Sequence, residues 1–182
     1  MWSKAVIASF NAIPQNACDS DYFGPYNKLL HTLFPPDSDF AVGPVFFRDS
    51  RQAPVTAVFE IYLVDKPVLI LELRVPSYLD LPSTRQVVDE EIRSRMNGMV
   101  SACPLETLHA ISALGTKLCF YSLNTRNRSA QIVPAAIPRH PTEMNDTAPA
   151  DHWNYDILEP AGEERLRLIV KQIMDGCAAL NV

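Results

Sequence analysis

Two apolar runs separated by only two residues constrain this chain more than any other feature. Val55 to Val64 and Pro67 to Val75 are rich in β-branched residues, and Asp65 with Lys66 is all that joins them. β-Branched runs of this length favour strands, and a two-residue connection closes a tight antiparallel hairpin. The sequence therefore predicts a central hairpin around which a β-sheet is built.

Three ionisable residues interrupt these otherwise apolar runs: Glu60 in the first, and Glu72 with Arg74 in the second. Burying an isolated charge costs several kcal/mol or more, so such groups are paired, bound to a metal or turned toward a cleft. Alternation along a strand puts Glu72 and Arg74 on one face. A slightly widened turn would put Glu60 directly opposite Glu72 on that face. We therefore predict a Glu/Glu/Arg site beside the next helix.

Periodicities elsewhere in the chain complete a mixed pattern of helices and strands. The predicted elements are, in order, a helix over Tyr22 to Phe34, a strand over Phe40 to Phe47, the hairpin, a helix from a capping box at Ser83 to Gln86 through Met99, a second hairpin of Thr107 to Ala113 with Lys117 to Leu123, an edge strand within Gln131 to Ile137, and a helix from about Pro160. We expect an α/β (α+β) fold with a mixed central sheet flanked by helices. Residues 21–182 would form one domain with an αβββαβ core, preceded by an N-terminal segment, residues 1–20.

Composition narrows the partners and the compartment. The net charge of −5 and the absence of a basic run disfavour nucleic acid as a partner, although they do not exclude it. No run approaches the ~20 apolar residues that span a bilayer, and the apolar stretch before Asn11 is too short for a secretory signal. Four scattered cysteines without a CxxC pair indicate a reducing compartment. We expect a cytoplasmic or otherwise intracellular protein, neither secreted nor membrane-bound, and leave its oligomeric state open.

Several stretches together resemble the PD-(D/E)xK nuclease superfamily, in an uncharacterised fungal branch with the restriction-endonuclease-like fold. They are FGPYNKLLHTLFP, VFEIYLVDKPVLILELRVP, RQVVDEEIRSRM, CPLETLHAISALGTKLCFY and DTAPADHWNYDIL, which together run from about Tyr22 to Gly176. The resemblance implies that Glu60 matches the first metal-binding acid and Glu72 the (D/E) of the motif. It implies that Arg74 stands where lysine is usual, and that Glu91 matches a glutamine that often supports such sites. Glu60 and Glu72 would then be the ligands of Mg²⁺ or Mn²⁺.

Two of these positions depart from the superfamily pattern. Arginine is always protonated, so Arg74 can stabilise charge and pair with a carboxylate but cannot act as a base. Glu91 adds a negative charge where a phosphate would approach, unless Arg95, one helical turn on, neutralises it. Asp89, Glu90, Arg93 and Arg95 are expected to lie on the solvated face of the same helix, with Glu91 nearer its apolar stripe.

Two further groups are candidates. His109 lies in a predicted strand, where a core histidine is the simpler interpretation and a general base the functional one. His152, Trp153 and Tyr155 form an aromatic segment that either packs or lines a cleft and binds a ligand by stacking.

Three functions remain open on this sequence. The first is a Mg²⁺-dependent nuclease. The second is a nuclease fold reused to bind or convert a small, largely apolar molecule, for example by cyclisation or isomerisation in fungal secondary metabolism. The third is a non-catalytic binding module in which the Glu/Arg/Glu group is only an ion pair. We predict the second, with no cofactor, because retained paired acids with a lost lysine indicate a changed task.

Overall fold

A computed structural model of the chain describes residues 1–47 and 56–180. Within these residues the chain forms α1 Lys4–Asn11, α2 Asp19–Leu33, β1 Phe40–Phe47, β2 Thr56–Leu63, β3 Lys66–Arg74, α3 Pro82–Met99, β4 Thr107–Leu114, β5 Lys117–Asn124, β6 Tyr155–Asp156 and α4 Pro160–Ala178. Two 3₁₀ turns, Pro76–Leu79 and Ala150–Trp153, precede α3 and β6. Val55, at the start of the first predicted hairpin strand, lies outside the described residues.

The strands form one six-stranded mixed sheet in the order β1-β2-β3-β4-β5-β6. Neighbouring strands are antiparallel except β3 and β4, which are parallel. A parallel pair needs a crossover connection, and α3 supplies it. The mixed sheet flanked by helices is therefore confirmed.

The two faces of the sheet are covered by different helices. On one face, which we call the α2/α4 face, the ring of Phe23 from α2 stacks on Phe59 with centroids 4.7 Å apart, and Arg165 of α4 lies over Phe120. On the opposite face, the α3 face, α3 buries Val88, Ile92 and Met96, and its polar side chains reach β2, β3 and β5. Burying leucine- and isoleucine-sized side chains on both faces of β3 provides much of the fold's hydrophobic free energy.

The register of the β2–β3 hairpin decides where the charged residues lie. Ile61 pairs with Leu69 whereas Tyr62 pairs with Pro67, so Val68 is an extra residue that bulges out of the ladder. The turn consists of Val64 and Asp65 rather than Asp65 and Lys66, because Lys66 already pairs with Leu63. Without the bulge, this turn would put Glu60 opposite Leu69 and on the other face from Glu72. With it, Glu60 pairs with Ile70 and Glu72 with Val58. The shared face is confirmed, but direct opposition of Glu60 and Glu72 is wrong: they are diagonal neighbours.

The N-terminal segment packs on the rest of the domain. Trp2, Val6 and Phe10 are buried, and the ring of Phe10 meets that of Tyr26 edge-on. The indole N–H of Trp2 donates a hydrogen bond of 2.7 Å to the carbonyl of Ile157. Residues 1–20 thus share the hydrophobic core of the domain.

Element boundaries differ from the predicted ones at two helix starts. α2 begins at Asp19 rather than Tyr22. α3 begins at Pro82, and its N-cap residue Leu81 provides no side-chain cap. The predicted capping box is wrong because α3 already begins at Pro82, so Ser83 lies inside the helix. The Thr84 hydroxyl donates to the carbonyls of Tyr78 and Leu81, at 2.8 Å each.

The long segment between β5 and β6 is fixed at both ends. Of the edge strand predicted in Gln131 to Ile137, the structure shows a single bridge, between Val133 and Ser122. At the far end, the buried Arg85 of α3 donates to the Ala148 carbonyl at 2.8 Å and to the Asp146 carboxylate at 2.5 Å. Its third bond goes to the Leu79 carbonyl.

Two further observations bear on environment. No helix among the described residues is long and apolar enough to cross a membrane. The four cysteines are free thiols: Cys18 is exposed, and the other three are buried.

Candidate functional site

Acidic and basic side chains from three elements meet on the α3 face. Glu60 comes from β2, Glu72 and Arg74 from β3, and Glu91 and Arg95 from successive turns of α3. Their contacts, given below, join them into one group, which we call the Glu/Arg cluster. The structure thus brings together all four predicted catalytic residues and Arg95.

Arg74 is divided among three carboxylates. Its shortest contact, 2.5 Å, is to Glu91, whereas Glu72 lies 3.7 Å and Asp19 3.6 Å from its other nitrogens. The guanidinium also lies 5.5 Å from the ring centroid of Tyr78. Arg74 therefore neutralises Glu91 most directly, the role that the sequence suggested for Arg95.

Arg95 instead spans the two strand carboxylates. One guanidinium nitrogen is 4.0 Å from Glu60 and another is 3.9 Å from Glu72. These distances are too long for hydrogen bonds but close enough for strong attraction where water is excluded. A cationic side chain therefore lies beside both acids.

Glu72 is the most perturbed member of the cluster. It is completely buried, and neither carboxyl oxygen has a hydrogen bond of ordinary geometry with the described residues. Burial, and then the adjacent Glu91 carboxylate, raise the pKa of Glu72 to about 8 against the opposing charges of Arg74 and Arg95. Near pH 7 this carboxyl is therefore mostly protonated and is able to donate a proton.

Glu60 has a different environment because Tyr62, two residues on and therefore on the same face, donates its hydroxyl hydrogen bond to it. Burial, followed by this bond, raises the pKa of Tyr62 to about 12. Glu60 thus has a neutral donor as well as Arg95 at its carboxylate. Two acids on one face therefore differ in their chemistry.

These residues do not fit the divalent metal that the nuclease resemblance implies. Mg²⁺ needs near-octahedral oxygen ligands at about 2.0–2.1 Å. Among the described residues, no group of three or more His, Cys, Asp or Glu side chains is arranged to hold a metal ion. Glu60 and Glu72 instead share the guanidinium of Arg95.

The remaining predicted residues divide between the two faces. His109 pairs with Leu69 and so lies on the α2/α4 face, away from the cluster. Trp153 is buried on the α3 face, where its indole N–H donates to Ser112, the β4 neighbour of Glu72. Tyr155 packs its ring edge-on against Phe120 of the α2/α4 face. His152 is half-buried with its ring 6.3 Å from that of Trp153. The aromatic segment therefore does not line one cleft.

Three interacting residues escaped the sequence analysis. Asp19 contacts Arg74 and also accepts the backbone N–H of Val75 at 2.6 Å, although from sequence it is only an acid near a helix start. Tyr62 could have been found from its spacing to Glu60. The predicted solvated face was wrong for Asp89, which is buried and accepts hydrogen bonds from Tyr121 and Arg93. It was also wrong for Arg95, whose side chain is 16% exposed and lies beside Glu60 and Glu72.

Comparison of the chain with protein-family models, with curated proteins and with solved structures finds no match. The geometry of the Glu/Arg cluster is therefore the basis for assigning a function.

Proposed function

We propose that the Glu/Arg cluster is an acid–base site for a small, largely apolar molecule, and that the protein catalyses a cyclisation or isomerisation. One observation carries the proposal: Glu72 is a completely buried carboxyl, held mostly protonated between two guanidinium groups. Perturbed carboxyls of this kind are typical of general acids. An ion pair that served only stability would keep both partners charged.

The proposed chemistry conserves protons overall. Glu72 donates its proton to a double bond or oxygen of the ligand, and the carboxylate left behind is stabilised by Arg74 and Arg95. A second carboxylate, Glu91, accepts a proton from another position of the ligand, while Glu60 helps to hold Arg95 beside Glu72. The proton then returns to Glu72 through Glu91, whose charge raises the proton affinity of Glu72.

The ligand would approach from the side of the β1–β2 hairpin. Gly43, which pairs with Glu60, has no side chain and is only half-buried, and the ring of Tyr62 lies against it. The cavities of about 710 and 520 Å³ lie elsewhere, and neither is lined by cluster residues. Access to Glu72 therefore requires the Arg95 side chain to move aside, which makes Arg95 the gate of the proposed site.

We further propose that this fold derives from the PD-(D/E)xK nucleases, with the catalytic task changed. The support is the αβββαβ order and an E-x-R sequence on β3 beside an acid on β2. In this interpretation Arg74 and Arg95 replace metal charge with guanidinium charge, which suits an uncharged ligand better than a phosphodiester.

The test is proton exchange, which does not require the product to be known. The protein is incubated in D₂O with a panel of C10 and C15 terpenoid alcohols, aldehydes and epoxides, and the recovered compounds are analysed by mass spectrometry. We expect deuterium incorporation or isomerisation of at least one compound by the wild type. E72Q should abolish this exchange or isomerisation. E90Q should not, because Glu90 is an exposed residue of α3 next to Glu91.

A parallel calorimetric titration with Mn²⁺ distinguishes the alternatives. We expect no saturable binding to the wild type. Saturable binding that E72Q removes would overturn the proposal in favour of a metal-dependent nuclease. Absence of both exchange and metal binding would leave a non-catalytic ion-pair cluster and would also overturn it.

A further inference from the structure

A second candidate site lies on the opposite face of the sheet from the Glu/Arg cluster. A groove of about 710 Å³ opens between the β4–β5 hairpin and the C-terminal half of α4. Its volume is within the range of small-molecule sites, roughly 300–1,000 Å³. We call it the α4 groove, and its main lining residues are His109, Phe120, Ser122, Arg165, Ile169 and Ile173.

One cation in the α4 groove is available for a ligand. The Arg165 guanidinium lies 5.8 Å from the Phe120 ring centroid and forms no ion pair with any residue in the part of the chain that the structure describes. The other arginine of the groove, Arg126, is 3.2 Å from Glu106, so its charge is already balanced. The groove therefore offers a single uncompensated positive charge.

His109 adds a polar group beside this cation. Burial, and then the charge of Arg165, lowers the pKa of His109 to about 4, so the imidazole is neutral near pH 7. A neutral imidazole has one N–H donor and one acceptor nitrogen. No hydrogen bond to its ring comes from the described residues, which leaves the N–H free to serve a ligand.

The α4 groove also has an apolar part. Ile169 and Ile173 are buried in α4, and Phe120 presents its ring from β5. A ligand that fits must combine one anionic group with a hydrocarbon body. A phosphate dianion fits less well, because it needs a second cation and meets a protein of net charge −5.

We propose that the α4 groove binds an amphipathic monocarboxylate. The carboxylate pairs with Arg165 and accepts a hydrogen bond from His109, and the hydrocarbon body packs on Phe120, Ile169 and Ile173. This proposal is independent of the Glu/Arg cluster, which lies across the sheet, and extends the protein's ligands to a second chemical class.

The experiment is an NMR titration with octanoate, which follows the imidazole C–H signal of His109. The chain has four histidines, so H109Q identifies the signal. We expect a saturable shift of this signal, and an upward shift in the pKa of His109, because the bound anion offsets the charge of Arg165. The other charges near His109 are those of Arg126 and Glu106 at the strand ends. Octanoate is expected to offset only the charge of Arg165, so the effects of Arg126 and Glu106 are the same with and without it.

Two kinds of control test the proposal: variants of the protein, and ligands that lack either the carboxylate or the hydrocarbon body of octanoate. R165Q should weaken octanoate binding by about tenfold or more, equivalent to about 1.4 kcal/mol. K171Q, another exposed cation of α4 but outside the groove, should bind as the wild type does. Octan-1-ol should bind more weakly than octanoate, and so should inorganic phosphate. Equal loss in K171Q, equal binding of octan-1-ol or phosphate, or no shift of the His109 signal would each overturn the proposal.

Discussion

Competition for Arg74 explains why a carboxyl between two arginines is protonated. Glu91, whose side chain is 27% exposed, has the 2.5 Å contact, while the fully buried Glu72 has one at 3.7 Å. The better-solvated acid thus keeps its charge and the shortest ion pair. Glu72 bears the full cost of burial, and a proton is the cheapest way to remove that cost.

This assignment predicts a pH dependence of stability. The folded pKa of Glu72 is raised to about 8 from its ordinary value of 4.5, so the folded state holds the proton more tightly. Its contribution to stability is complete below pH 4.5 and is lost as the pH rises to 8. As the pH rises from 4.5 to 8, the free energy of unfolding of the wild type should fall relative to that of E72Q. The limiting slope of this fall is about 1.4 kcal/mol per pH unit.

Urea denaturation of both proteins at pH 5, 6.5 and 8 measures this difference. E90Q serves as the control, because an exposed glutamate should leave the pH dependence unchanged. A difference between wild type and E72Q that stays constant over this range would show that Glu72 is ionised throughout.

Removing Arg74 should be costly because it leaves the carboxylates of Glu91 and the nearly buried Asp19 without the cation that they share. We expect R74M to lower the free energy of unfolding at pH 7 by about 3–5 kcal/mol. K171M removes an exposed ion pair of α4, with side chains 70% and 66% exposed, and should cost less than about 1 kcal/mol. Chemical denaturation compares the two, and similar losses would contradict a buried role for Arg74.

At the scale of elements, the bulge at Val68 puts both acids on the α3 face. A two-residue turn with regular pairing would have buried one of them among Phe59, Leu71 and Ile111 on the α2/α4 face. The bulge takes up Val68 as one extra residue of β3, and this keeps both acids on the α3 face. If Val68 itself is deleted, the other residues of β3 can keep their present partners in β2. The hairpin should then be regular, with the same residues on each face.

Two single-residue deletions test this. Deletion of Val68 should leave a cooperatively folded protein that loses about 1.5–3 kcal/mol, the value of one buried valine. Deletion of Leu71 should abolish cooperative unfolding, because it reverses the faces of the residues on one side of the gap. Thermal unfolding followed by near-UV circular dichroism distinguishes them. Equal disruption by both deletions would refute the role given to the bulge.

The sequence alone predicted correctly those helices and strands whose hydrophobic pattern is contained within the element itself. Alternation and helical spacing predicted β3, α3 and the second hairpin, because burial on one face leaves a periodic trace. The bulge left no trace, since Val68 lies in a uniformly apolar run. The start of α3 was predicted wrongly because Ser83 and Thr84 resemble the N-cap of a helix, although the helix begins before them. The Thr84 hydroxyl bonds to the carbonyl of Tyr78 instead.

Contacts between distant residues were beyond the sequence for a related reason. The identity of an arginine on a helix does not tell whether it reaches water, a carboxylate or a backbone carbonyl. In the folded chain, Arg85 bonds to a backbone carbonyl and Arg95 lies beside a carboxylate, whereas Arg165 is exposed over the Phe120 ring. The members of the Glu/Arg cluster on the strands were predictable, whereas their partner Asp19 was not.

At the scale of the whole molecule, one sheet separates two chemically different regions. Within β4, Ser112 lies beside Glu72 on the α3 face, while His109 opens into the α4 groove on the other. Strand alternation thus lets one element line both the Glu/Arg cluster and the α4 groove, on opposite faces of the sheet.

Fixing both ends of the segment between β5 and β6 makes its middle a natural insertion point. The bridge from Val133 to Ser122 holds one end, and the hydrogen bonds of Arg85 to Asp146 and Ala148 hold the other. Between them, Glu143 and the fully exposed Met144 lie on the outside of the molecule. A reporter domain or peptide epitope spliced between these two residues would be displayed outward, with its termini kept together by the host chain.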